Sequence, residues 1–309
     1  MNTVIGIPRG LFFHLFNDGW VTFFEELGFK VKVTGPSNKE VLNEGTKLAL
    51  SETCLPVKFY YGHVLELADK VDYIFVPRLV SINKKEFLCP RFMGLPDTVE
   101  QNISDLPPLI VPTINYNNKE TWKSAALEVG NQLNIPYIKC YKAFLKASLK
   151  HKQTIKNQQA ELKDKLNKDN KKIALIGRDY IINDEITGIG IQKKIEGAGY
   201  DIITSNMIGN KDIDEGNKHI DKKLYWTLNR RLFGSALYLA NNGFVDGIVQ
   251  VITFGCGPDS IVCELIERKV KQISSIPNLT LTLDEHTGEA GMFTRLEAFM
   301  DLLERRITN

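Results

Sequence analysis

What most constrains this chain is the regular exchange of short β-type apolar runs for helix-patterned stretches along its length. The β-type runs occupy residues 4–7, 30–33, 73–76, 109–114 and 136–139 in the first half, and 173–176, 201–204, 247–253 and 279–283 in the second. Between them, apolar residues recur at helical spacing in 20–27, 38–50, 57–68 and 119–133, then in 190–198, 224–241, 258–270 and 290–305. Strands separated by helices cannot close tight hairpins, so the alternation predicts an α/β fold with parallel sheets covered on both faces. Local punctuation agrees: Gly28 is placed to end the first helix and Asn38 to cap the second.

Residues 141–172 break the alternation. They are rich in Lys, Gln, Asn and Leu, contain no Pro or Gly, and place sparse apolar residues at Phe144, Leu145, Leu149, Ile155, Leu162 and Leu166. This reads as one long connecting helix whose lysines form a solvated face. The 309 residues suffice for two domains of about 150 residues each. The expected organisation is an N-terminal α/β lobe over 1–140, a connecting helix over 141–171 and a C-terminal α/β lobe over 172–309, the two lobes facing each other across a cleft.

A formal net charge of +2, with no basic strip interleaved with aromatics, argues against nucleic acid or an anionic membrane as partner. The start, Met-Asn-Thr-Val-Ile-Gly-Ile-Pro, has no basic segment leading into an apolar one. Nowhere do about 18 apolar residues run uninterrupted, and the expectation is a cytoplasmic protein.

The chemistry-bearing signal is the corner Phe254-Gly255-Cys256-Gly257-Pro258-Asp259-Ser260, where the run 247–253 ends and a helix pattern begins. Two glycines allow a sharp turn, Pro258 suits a first helical turn, and Asp259 adds charge there. A sulfur at that apex faces open helix amides, which stabilise a thiolate or an anionic cluster bound through it. Cys54, in Thr53-Cys54-Leu55-Pro56, repeats the arrangement before a second helix, and Cys89, in Leu88-Cys89-Pro90-Arg91, follows the third strand. Loops beyond the carboxyl ends of parallel strands are where such sheets place their sites, and Cys-Pro pairs recur at iron–sulfur ligands. Three thiolates aimed at one cleft bind a soft metal or a cluster, while the competing reading makes them small core residues. Cys140 and Cys263 are expected to be buried; Cys263 lies two helical turns past Cys256.

His63 or His286 would complete a Cys3His zinc site, the main metal alternative. Asp284, Glu285, His286 and Glu289 follow the last strand as acid, base or donors toward bound ligands, with helix capping by Thr287 and Glu289 as the cheaper account. Arg295 and Glu297 read as structural charges on the last helix. The first β-α turn carries no G-x-G-x-x-G, Gly188-Ile189-Gly190 lies past its strand, and neither a P-loop nor a G-x-S-x-G elbow occurs.

The segments IGIPRGL, SETCLPVKFYYGHVLEL, DYIFVPR, CPRFMGLPD, FGCGPDS and TLTLDEHTGEAGMFTRLEAF occur in this order between Val4 and Leu303. Together they resemble the acyl-CoA dehydratase activase-related proteins, which group with the 2-hydroxyacyl-CoA dehydratase subunits and the double-cubane-cluster proteins. The resemblance implies two Rossmann-like or flavodoxin-like lobes with a [4Fe-4S] cluster between them, held by Cys54, Cys89 and Cys256. It further implies a separate ATP-hydrolysing activator that supplies a low-potential electron for a difficult reduction or for dehydration of a 2-hydroxyacyl-CoA. A second copy or a related subunit would be the other partner. The chain lacks the activator's nucleotide motifs and so resembles the acceptor, with Lys58 and Arg91 adding positive charge beside the ligands. The alternative is a non-catalytic metal-binding (iron–sulfur or zinc) or electron-carrying protein.

Overall fold

The computed structural model describes the backbone of residues 2–308 and the side chains through residue 306. Two compact units emerge, the first made of residues up to Thr154 with Tyr225–Thr227, the second of Ile155–Leu224 with residues from Leu228 onward.

The first unit runs β1 (Val4–Ile7), α1 (Phe13–Glu26), β2 (Lys30–Val33), α2 (Lys39–Leu48), α3 (Leu55–Leu67), β3 (Tyr73–Phe75), β4 (Arg78–Ser81), α4 (Pro90–Met93), α5 (Leu95–Asn102), β5 (Leu109–Ile110), β6 (Thr113–Asn115) and α6 (Trp122–Gln132). Helix α7 (Tyr137–Asn167) contains the unit boundary. The second unit continues β7 (Lys172–Gly177), α8 (Asp179–Ile182), α9 (Ile191–Gly197), β8 (Asp201–Thr204), α10 (Asn210–Gly216), α11 (Thr227–Asn241), β9 (Gly247–Thr253), α12 (Gly257–Ile273), β10 (Asn278–Leu283) and α13 (Glu289–Thr308).

Every strand pairing is parallel, as the alternation requires. The first unit orders its four-stranded sheet β2-β1-β3-β5, with β4 and β6 paired as a separate two-stranded sheet, and the second orders β8-β7-β9-β10, so the four-stranded sheets share one topology. Strand β2 is an edge, and its Lys30 and Lys32 point to water and blunt it. In the second unit, Ala174 and Ile176 of β7 pack toward α10, α11 and α12, whereas Ile173 and Leu175 pack toward α9 and α13. Interior β9 is buried at all seven positions, hence its unbroken apolar run.

The same packing device recurs in each unit. A Cβ on Gly45 of α2 would sit 1.8 Å from Lys58 O, and one on Gly62 of α3 would sit 1.9 Å from Val41 O. Gly216 of α10 would meet Gly234 O of α11 at 1.9 Å. Only glycine lets these helix backbones touch.

Some elements depart from the sequence reading. The run 109–114 divides into β5 and β6 at Pro112, and β3 gives way to β4 at Pro77, because proline has no N–H to give the ladder. Hydrogen bonds from Val76 N to Ile110 O and from Arg78 N to Pro112 O carry the pairing across the gap. Residues 136–139, expected as a strand, open α7 instead: Pro136 tolerates a first helical turn, and Cys140 N donates to Pro136 O at 3.0 Å. Helix α1 starts at Phe13 rather than near Trp20, the mid-helix Asn17 and Gly19 having masked its first turns. Gly28 (φ +88°) does end it, and Asn38 does cap α2, accepting from Val41 N at 2.9 Å.

Candidate functional site

In the second unit β7 and β9 are neighbours, yet the chain leaves β7 toward β8 and leaves β9 toward β10. This divergence opens a crevice at the strands' carboxyl ends, the favoured ligand position in such sheets. Arg178 follows β7 there and Cys256 follows β9. Gly255, at φ +78°, makes the turn, Cys256 is the extended N-cap of α12, and Pro258 lies in its first turn.

Asp259 does more than add first-turn charge. Only 1% exposed, its carboxylate receives Arg178 Nε at 2.9 Å, Arg178 Nη2, and Asn229 Nδ2 at 2.9 Å. Asn229, on α11, accepts from Arg178 Nη2 at 2.8 Å and donates to Pro258 O at 2.9 Å. The closed network ties β7, α11 and the first turn of α12 together directly behind Cys256. Burial opposes the Arg178 charge, but Asp259 outweighs it and holds the guanidinium above its ordinary pKa.

The expected thiolate is not what this setting favours. Burial first, then the Asp259 carboxylate, pushes the Cys256 thiol up to about 12, with Arg178 offsetting only part. A soft metal binding there displaces a proton.

Cys54 is the extended N-cap of α3, and its carbonyl accepts from Val57 N and Lys58 N. Lys58, one turn along, is 2% exposed, which places a buried amine close to Cys54 in the chain. Cys89 is the extended N-cap of α4. Leu88 N donates to Val80 O of β4 at 2.9 Å, and Arg78 pins α4 and α5 by reaching Met93 O and both Asp97 oxygens. Phe87 exchanges backbone bonds with Tyr225 and Thr227, which fastens the other side of the loop. Arg91 is exposed.

Cys89 follows β4, which continues the chain past β3 and Pro77, and Cys256 follows β9, the third strand of its unit, so each precedes the helical stretch that leads to the next strand of its unit's sheet. All three cysteines are half-buried, and none caps its helix with its side chain. Cys140 and Cys263 differ. Cys140, 1% exposed, donates its thiol to Ala126 O at 2.9 Å against Gly130; Cys263, 5% exposed inside α12, is pushed up to about 12 by burial and then Asp259. None of the five forms a disulfide.

His63 is a core histidine, fully buried, with Nε2 3.0 Å from Ser37 Oγ. Nine residues separate it from Cys54 along one helix, about 13 Å of rise, too far for a shared zinc ion. His286 is exposed, and its N–H donates to Asp284 Oδ1 at 2.9 Å, as does Thr287 Oγ1 at 2.8 Å. The cluster after β10 is therefore a turn organised by Asp284, whose pKa these bonds lower, the Thr287 hydroxyl most. Among the described residues no group of three or more His, Cys, Asp or Glu side chains is gathered to hold a metal ion. Cys54 and Cys89 belong to the first unit and Cys256 to the second.

Sequence reasoning missed Arg178, Asn229 and Asp179. The signal for the first and last was present: Gly177-Arg178-Asp179 sits directly after a β-type run, at the carboxyl end of a strand. Asp179 is 4% exposed with Oδ1 lacking a hydrogen-bond partner, and burial raises its pKa, opposed by Arg231. A raised carboxyl pKa carries no penalty below the ordinary value of about 3.9 and a growing one as pH rises to the folded value. Asp179→Asn should remove that part of the pH dependence. Thermal midpoints of both proteins from acid to neutral pH check it, and parallel curves would refute it.

No curated protein matches the sequence. Among solved structures, a mutant of the laminin-binding adhesin Lmb from Streptococcus agalactiae aligns at 9% identity over 98% of this chain and 100% of that one, with TM-score 0.27. A LacI family transcriptional regulator from Arthrobacter sp. FB24, in complex with lactose, aligns at 14% identity over 99% of this chain and 92% of that one, with TM-score 0.19. Neither likeness is close enough to inform the fold. No helix among the described residues is long and apolar enough to cross a membrane. Residues 4–208, which include Cys54 and Cys89 but not Cys256, match the model of one family along two thirds of the chain. The chain belongs to the family described as the CoA enzyme activase uncharacterised domain (DUF2229).

Proposed function

We propose that this chain is the iron–sulfur component of an ATP-driven, activator-dependent reductase or 2-hydroxyacyl-CoA dehydratase-like system. One observation carries the reading. Three of the five cysteines are half-buried N-caps in extended conformation with side chains unused for capping, while the other two are buried within helices. The donor set fits the group, since three thiols of this kind suit a soft metal centre. Membership of a CoA enzyme activase-type family supports a role beside a CoA-dependent enzyme.

In this reading Cys54, Cys89 and Cys256 hold a [4Fe-4S] cluster, and Cys256 of the second unit joins the two cysteines of the first. Bound there, the cluster supplies a low-potential electron. The chain's own residues fix the ligands and balance charge. Arg178, Asp259 and Asn229 lock the first turn of α12 behind Cys256, and Arg178 places positive charge near Cys256. Its partners are a separate ATP-hydrolysing activator and a second copy or related subunit, in an anaerobic cytoplasm.

Anaerobic reconstitution tests the reading. It should yield a brown protein with about four iron and four sulfide per chain, as one cubane requires. One zinc per chain without sulfide would defeat it. Turnover with activator and ATP then separates a catalytic component from an electron carrier.

A further inference from the structure

The first unit holds a groove of about 430 Å³ between α1, α6 and α7, within the about 300–1,000 Å³ of small-molecule pockets. Aromatic rings floor it. Phe16 and Trp122 lie 4.6 Å apart, Trp20 and Trp122 5.9 Å, and Phe16 and His151 5.5 Å between centroids. Phe144 and Leu145 of α7 complete the apolar wall.

The middle of α1 carries Gly19, which lines this groove. A glycine inside a helix costs about 1 kcal/mol relative to alanine. Close packing does not demand it here: an added Cβ would meet nothing nearer than 3.9 Å. What Gly19 achieves is an open groove. Two lysines, Lys123 and Lys152, are among the lining residues. The first half of α7, through Thr154, contains five lysines and no acidic residue; of these, Lys152 lines the groove, Lys146 pairs with Glu26 of α1 at 2.6 Å, and Lys139 donates to Leu27 O at 2.7 Å, while Asp18 of α1 accepts from Thr154.

From the apolar floor, the unfilled glycine position and the two lining lysines, we infer that this groove binds a small amphiphile with an apolar tail and one anionic head, of the medium-chain carboxylate class. The tail lies on Phe16, Trp20 and Trp122, and the carboxylate meets Lys123 and Lys152. The site is independent of the iron–sulfur reading because every lining residue belongs to the first unit.

Titration of the full chain with hexanoate, octanoate and decanoate, followed by tryptophan fluorescence and calorimetry, tests this. Binding should saturate and tighten about fourfold per added methylene. Lys152→Glu should weaken octanoate by up to about fivefold and leave octanol unchanged. Gly19→Leu, whose Cβ would meet nothing nearer than 3.9 Å, should abolish binding of both at a thermal midpoint no lower than wild type. Three results would overturn the proposal: no saturable binding, octylammonium binding as tightly as octanoate, or full binding by a folded Gly19→Leu. Sedimentation showing a dimer that Gly19→Leu dissociates would also overturn it, assigning the groove to a subunit interface.

Discussion

Anaerobically reconstituted Cys256→Ser is expected to carry iron at background level, and Cys54→Ser and Cys89→Ser to behave alike. A serine oxygen is harder and far less readily ionised than a thiolate, so it holds soft iron poorly. The fold should survive, because Cys256 is a half-buried N-cap whose side chain makes no capping bond, and serine is a good residue there. Cys263→Ser gives the contrast. Its sulfur lies inside α12, about 10 Å further along the axis, so iron should be retained. The cost should be the 1–3 kcal/mol, roughly, of an unsatisfied buried hydroxyl. Iron per chain and thermal midpoint, measured on all variants beside wild type, decide the matter. Full iron in Cys256→Ser, or its loss only in Cys263→Ser, would reverse the assignment of ligand and core cysteine.

Arg178→Ala should be among the most destabilising single changes in the second unit, by about 3–5 kcal/mol, because it strands a buried carboxylate. Asp259 is 1% exposed and would keep Asn229 Nδ2, at 2.9 Å, as its remaining side-chain partner in the network. For a unit of this size the loss amounts to a fall on the order of 10 °C in its unfolding midpoint. Replacing the pair together, as Arg178→Met with Asp259→Leu, removes both charges and should recover most of that stability. Urea unfolding of the two variants and wild type gives the comparison. A cost for Arg178→Ala below about 1 kcal/mol, or a double variant no better than the single, would show that the network does not carry the load assigned to it. The exposed pairs, such as Lys47 with Glu44, should by contrast give changes near zero when broken.

The sequence by itself determined the α/β class, the parallel sheets and the placing of Cys54 and Cys256 where helices begin; that Cys89 also opens a helix came from the structure. Each of the former rests on local physics. Alternating runs specify strand and helix, the spacing between strands forbids hairpins, and proline with glycine marks where a helix can open. Gly28 and Asn38 were legible for the same reason, since a positive φ and a cap are written in one or two residues. Only the tertiary structure decided the rest. Residues 136–139 look like a strand in isolation and join α7 because Cys140 packs against Ala126 and Gly130 of α6. His63, a possible ligand in sequence, lies fully buried against Ser37. The network behind Cys256 joins residues 81 and 51 positions apart, Arg178 with Asp259 and with Asn229. No sequence period encodes such a contact: it exists because parallel β7 and β9 stand side by side, and because burial makes an unpaired charge too costly to leave there.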